Sequence, residues 1–250
     1  QLLTMTSGVR WNEDYADPNS DVAKFNNHKP EAGVDALVSY MRKLPRDAPA
    51  GTRWHYSTGE TNLVGILVSQ ATQKTLAQYL SEKVWQPAGM AQQATWLLSK
   101  TGQEISGCCL QAATLDYARF GQFILKGAKV NGQSIVPDGW LAEATTRRTP
   151  IDQPGRGYGY QWWTYDTGSF SARGIFGQGI FIDPARQLVI VSNANWAGGA
   201  RDPVATQSRD AFYRLVQKAV DDEAAAAPGA PPAPPAPAIP APSPAPATSG

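Results

Sequence analysis

Apolar residues recur at helical spacing through the first part of the chain and give way to short aromatic and β-branched runs later. Val34, Leu37, Val38, Met41 and Leu44 predict a helix that Pro45 stops. Leu63, Val64, Ile66, Leu67 and Ala71 predict a second, starting near Glu60 or Thr61. Leu76, Tyr79, Leu80 and Val84 predict a third, with Pro87, Gly89 and Met90 closing the pair. Leu115, Ala118, Phe120, Phe123 and Ile124 mark another helix, ended by Gly127. Pro137 suits the first position of one that carries Trp140 and Leu141.

The later runs read as antiparallel strands: Tyr158 to Tyr165, Gly179 to Ile182 and Leu188 to Ser192, with Asp183 and Pro184 as punctuation between the last two. Val204, Phe212, Leu215, Val216 and Val220 then form an amphipathic stretch able to lie across that sheet. Helices first and a meander afterwards predict an α+β fold without an alternating parallel sheet. One domain is expected, mostly helical over 1–152, with strands and a final helix over 153–222. Residues 223–250 are Ala/Pro-rich, too poor in apolar surface to offset chain entropy, and read as a disordered tail.

A chain of 250 residues with 42% hydrophobic content can bury a sizeable core. Its 22 basic and 21 acidic residues leave a net charge of +1 with no long basic block, so nucleic acid is not an expected partner. No apolar run approaches the roughly 20 residues that span a bilayer. The start at Gln1, without Met and inside ordered sequence, reads as truncation or processing. The two cysteines, Cys108 and Cys109, are adjacent: a vicinal disulfide is conceivable, but plain thiols packed after Gly107 are the expectation. With only His28 and His55 beside them, a metal centre is not predicted, and no cofactor motif occurs. Both histidines, and the Asp116/Arg119 pair three apart on a helix, read as structural or surface groups.

No Gly-x-Ser-x-Gly elbow occurs, which argues against an α/β-hydrolase. The informative stretch is Pro49 to Ser57 (PAGTRWHYS), which places Tyr56 just before a helix. This segment resembles the penicillin-recognising serine hydrolases, in which a Pro-Gly-x-x-aromatic-x-Tyr-Ser run brings a catalytic tyrosine opposite a Ser-x-x-Lys nucleophile. The helices ending in Pro87-Ala88-Gly89-Met90 match that family's usual run. Two further stretches point to its class C β-lactamase-related branch containing 6-aminohexanoate-dimer hydrolases. Leu2 to Gly8 (LLTMTSG) followed by Arg10 to Tyr15 is similar to a loop that carries a substrate-facing tyrosine, which makes Tyr15 that residue. Gln161, Trp162 and Trp163, then Arg173 and Gly174 to Gln178, look like the substrate wall and third active-site motif.

The resemblance implies a β-lactamase/transpeptidase-like fold and two-step acyl transfer, with Tyr56 as proton shuttle and the Ile175 N–H as one oxyanion donor. The sequence departs from the pattern in three places. No Ser-x-x-Lys exists: Ser20 has lysine four places on and Ser81 two places on. The Asn often found two residues after the tyrosine is Thr58. The Lys or His opening the third motif is Ala172, which favours esters or small amides over β-lactams. Lys100-Thr101-Gly102 spells a β-lactamase tripeptide in a polar connection, outside the required context.

The leading expectation is a serine esterase or amidase whose nucleophile helix and N-terminal strands lie upstream of Gln1, this portion being inactive alone. The alternatives are a truncated or degenerate ligand-binding protein and, third, a β-lactamase. The implied partner is a small ester or amide. Location leans toward the cell envelope from the tail and the family's habit.

Overall fold

The computed structural model describes residues 1–25 and 27–226; the tail expected from 223 onward lies outside the described residues after Ala226. Two short helices, α1 (Asp21–Phe25) and α2 (Ala36–Met41), precede the long α3 (Thr58–Thr72). The Asp35 side chain caps α2 by accepting from the Leu37 and Val38 N–H groups. Trp11, Val22, Phe25, Leu37 and Met41 form a buried cluster beneath these helices, with Leu63 and Ile66 of α3 packed against it. Gly59 is needed there because a Cβ would meet the Met41 sulfur and lie 2.8 Å from Trp11.

Helix α4 (Leu76–Leu80) opens with a Thr75/Gln78 capping box and runs into a π-helical turn over Ser81–Trp85. A ribbon of β1 (Thr95–Trp96) and β2 (Leu110–Gln111) leads to α5 (Thr114–Leu125), and Gly127, at φ 84°, follows it. A second small ribbon pairs β3 (Lys129–Val130) with β4 (Gln133–Ser134), and α6 spans Trp140–Ala144. Pro137 is not inside α6 as predicted; it lies in the turn before it, its carbonyl accepting from the Trp140 N–H.

The main sheet has six antiparallel strands: β5 (Thr149–Pro150), β6 (Arg156–Tyr158), β7 (Trp163–Tyr165), β8 (Phe170–Arg173), β9 (Gln178–Asp183) and β10 (Leu188–Asn193), in that spatial order. The single run predicted over Tyr158 to Tyr165 is therefore two strands of a hairpin. Gln161 reverses the chain at φ 64°, a left-handed conformation that a non-glycine residue does not announce in sequence. Helix α5 covers one face, where a Cβ on Gly121 would lie 2.5 Å from Val189. The other face carries α7 (Pro203–Ala226), whose Tyr213 stacks on Phe181 at 4.7 Å. Asp202 caps α7, with Pro203 at its first position as propensity favours. The helix continues four residues past the predicted end of order at Asp222. No described helix is long and apolar enough to cross a membrane.

Asp116 is fully buried on α5 and accepts from the Ala91 and Gln92 N–H groups and from Arg119, so the pair read as ordinary ties the turn after α4 to α5. The Ala91 N–H, helped by Arg119 and the Gln92 N–H, holds this carboxyl below the usual carboxylate range against the opposing pull of burial. A depressed folded-state pKa contributes stability above the unfolded value and loses it as pH falls through the folded one. Asp116→Asn should therefore lower the thermal midpoint at neutral pH, and the gap to the parent should narrow below about pH 4. Melting curves followed by circular dichroism across that range test this; a gap independent of pH would contradict it.

Candidate active site

Tyr56 ends an extended segment, and Ser57 after it caps α3, its Oγ accepting from the Glu60 N–H at 3.2 Å. The cap fixes where the helix starts and so where Tyr56 projects. Its ring stacks on Trp163 of β7 at 5.7 Å and 20°, meets Tyr158 edge-on at 6.4 Å and lies 6.4 Å from Trp54. The Tyr56 hydroxyl has no hydrogen-bond partner among the described residues. Burial, and then the negative charge of Glu13, push it up to about 12.

The two tryptophans part company: Trp163 opens β7, whereas Trp162 lies just before the strand, after the reversal at Gln161. Trp163 joins Tyr56, and the Arg173 guanidinium lies 5.3 Å over its ring. Trp162 packs on Phe170 at 5.1 Å and takes no part in that cluster. Arg173 also donates to the Tyr165 hydroxyl, but its Nε is buried without a partner, and burial lowers its pKa.

Tyr15 reaches the same region through Glu13. The Glu13 carboxylate accepts from Trp11 Nε1, the Thr58 N–H, the Thr58 hydroxyl and the Tyr15 hydroxyl, the last at 2.8 Å. It thus meets the positive end of α3 and ties the 11–15 loop to it. The Tyr15 hydroxyl also lies 3.2 Å from Thr58 Oγ1. Burial of that end and the Glu13 charge raise the Tyr15 pKa.

At the end of β8, Gly174, Phe176 and Gly177 all donate their N–H groups: to Gln178 O, Gln178 Oε1 and Gly174 O. The Ile175 N–H between them has no partner among the described residues. Lys100-Thr101-Gly102 lies in the β1–β2 connection, where Thr101 donates to Asp35. His55 is exposed, with Nε2 2.6 Å from the Trp11 carbonyl.

Two residues in this region, Glu13 and Glu60, were missed from sequence, whereas Gln161 was expected in the substrate wall. Gln161 accepts from the Thr61 hydroxyl at 2.8 Å and donates to the Leu2 and Leu3 carbonyls, joining α3, the first residues and the sheet. Glu60, buried on α3, accepts from the Ser7 hydroxyl at 2.6 Å; its second oxygen is unpaired and burial raises its pKa. An acid four residues past the candidate tyrosine was the one available hint for Glu60. Cys108 and Cys109, expected as thiols, are joined in a vicinal disulfide. No group of three or more potential metal ligands occurs among the described residues.

A family model described as Beta-lactamase matches residues 1–214. The chain belongs to the beta-lactamase family. Within it, a 6-aminohexanoate-dimer hydrolase from Paenarthrobacter ureafaciens is 26% identical over 215 residues, covering 78% of this chain and 54% of that protein. This beta-lactamase family chain therefore spans about half the length of the curated relative it matches. Among solved structures, the "Putative 6-aminohexanoate-dimer hydrolase from Bacillus anthracis" superposes with a TM-score of 0.74 at 24% identity, over 88% of this chain and 61% of that one. EstCE1, described as a hydrolase with promiscuous acyltransferase activity, gives 0.62 at 16% identity over 85% and 70%. At these identities the structures establish the fold, and it is the β-lactamase/transpeptidase-like α+β fold expected from the sequence.

Proposed function

We propose that this chain is the larger part of a serine hydrolase acting on carboxylic esters or small linear amides, with the Ser-x-x-Lys nucleophile supplied by residues outside these 250. The observation that carries the reading is the unpartnered Tyr56 hydroxyl, held on the Trp163 face at the capped start of α3. The free Ile175 N–H supports a second role, as one of the two donors that a tetrahedral oxyanion needs. The serine oxygen attacks the substrate carbonyl while Tyr56 takes its proton and passes it to the leaving alcohol or amine. Water then attacks the acyl-enzyme by the same route and releases the acid. Tyr15, Trp163, Arg173 and Gly174 form the substrate side, with Trp162 a lesser candidate because it packs away on Phe170.

A phenol raised to about 12 is a poor base at neutral pH. A neighbouring ammonium would lower it, and that is the part a Ser-x-x-Lys lysine would play. The 250 residues alone should then hydrolyse p-nitrophenyl acetate no faster than a heat-killed control, whereas the protein extended to include a Ser-x-x-Lys segment should turn it over. Turnover by the isolated chain would sink this assignment of the nucleophile. Because none of the 250 residues completes Ser-x-x-Lys, a second reading survives in which the cleft binds ligands without turnover. Binding of such esters by an extended protein that does not hydrolyse them would favour that reading. Hydrolysis of a β-lactam in preference to esters would favour the third, against the argument from Ala172.

A further inference from the structure

The Cys108–Cys109 disulfide closes the smallest loop a disulfide can close. It joins no distant elements, and the chain-entropy mechanism that lets disulfides stabilise folds is weakest for short loops. Its effect has to be local. Cys109 has φ 75°, a left-handed backbone conformation that side-chain-bearing residues adopt at a cost. The carbonyls on either side of the ring are pinned to one stretch of chain: Cys108 O accepts from Trp96 Nε1 at 3.0 Å and Cys109 O from the Leu97 N–H at 3.1 Å.

The residues just before the ring interlock with the first turns of α3. Asn62, fully buried, accepts from the Gly107 N–H and donates to the Thr58 carbonyl, both at 3.0 Å. The Ser106 hydroxyl donates to the Thr61 carbonyl at 3.1 Å. Gly107 lies so close that a Cβ would meet Thr58 Cγ2 at 2.6 Å and Thr58 O at 2.9 Å. Thr58 is the residue that Glu13 and Tyr15 hold, two places after Tyr56. Cys108 itself is exposed, so a solvent thiol can reach the ring.

We propose that the Cys108–Cys109 ring is a positioning element of the candidate active site, and that a dithiol reductant opens and closes it in the folded protein. The chemistry balances. One thiolate of the reductant attacks a ring sulfur, breaking the S–S bond and forming a mixed disulfide; the second displaces the remaining protein sulfur. The protein gains two electrons and two protons, and the dithiol leaves as its own disulfide. Once open, Cys109 is free to leave φ 75°, and Gly107 moves off Thr58.

The consequence for catalysis rests on the hydrolase reading above. In the full-length protein, dithiothreitol should release two titratable thiols well before unfolding and accelerate amide exchange at Gly107. It should also lower kcat/KM for p-nitrophenyl acetate by about tenfold, since small misplacements at a reacting centre cost rate steeply. Oxidised dithiothreitol should restore all three. Cys108→Ala/Cys109→Ala should match the reduced state and ignore the reductant. Cys108→Ala/Cys109→Gly should be faster than the double alanine variant, because glycine takes positive φ freely. Thiols that stay closed until unfolding, or that open with no change in exchange and rate, overturn the proposal, as does a double alanine variant equal to the oxidised parent. If the full-length protein hydrolyses nothing in either state, the hydrolase reading is what failed. Gly107 exchange then decides the ring by itself: faster on reduction supports it, unchanged overturns it.

Discussion

Replacing Tyr56 by Phe in the full-length protein is expected to lower kcat/KM for p-nitrophenyl acetate by about a hundred- to ten-thousand-fold, the usual contribution of a positioned general base. The fold should not notice. Phe keeps the stack on Trp163 and the edge contact with Tyr158, and the oxygen it removes has no hydrogen-bond partner among the described residues. No buried group is orphaned, so the unfolding midpoint should stay close to that of the parent. A merely structural tyrosine would behave the opposite way, changing stability and sparing the rate. Equal rates for parent and variant would remove Tyr56 from the mechanism.

Glu13→Ala should have the largest effect on stability. Its carboxylate accepts four donors, and three of them, the Trp11 and Thr58 N–H groups and the Thr58 hydroxyl, belong to buried residues. Losing the acceptor leaves those N–H groups unpaired and removes a negative charge from the start of α3, together costing about 3 kcal/mol. Urea denaturation measures the loss. The same change should bring the Tyr56 pKa closer to its ordinary value, since the Glu13 charge is the second cause of its rise. Glu13→Gln separates the two effects: it keeps an acceptor and the shape but not the charge. If the glutamine variant is as unstable as the alanine one, charge rather than hydrogen bonding holds this corner.

Legibility from sequence followed the range of the forces involved. Helix α5 was readable because it repeats an apolar face over several turns, α3 because its second half is a dense run of apolar residues, and α7 because its amphipathic stretch is long. The place of Tyr56 just ahead of α3 was readable from a local motif before a helix. Trp162 and Trp163 could not be ranked, since alternation says that they differ without saying which faces Tyr56. Glu13 was invisible for a different reason. An acid in a loop is ordinary, and its importance comes from donors on residues 11, 15 and 58, which only tertiary folding brings together. Gln161 was expected in the substrate wall, but its turn inside a run whose composition predicts one strand, and its bond to α3 a hundred residues away, were not legible. At Cys108 and Cys109 adjacency argued against a cross-link between elements and so drew attention from one within the pair.

Strand β10 ends the six-stranded sheet on one side and pairs with no further strand among the described residues. Its residues, Leu188 to Asn193, carry neither charge nor proline, the two devices that most often blunt an open edge. A border of that kind is a template: it recruits more β structure, from the same polypeptide when a segment is within reach or from a neighbouring copy when none is. Chain concentration should then matter in solution experiments on these 250 residues, and sedimentation across a concentration series, read before any assay of catalysis, checks whether they self-associate.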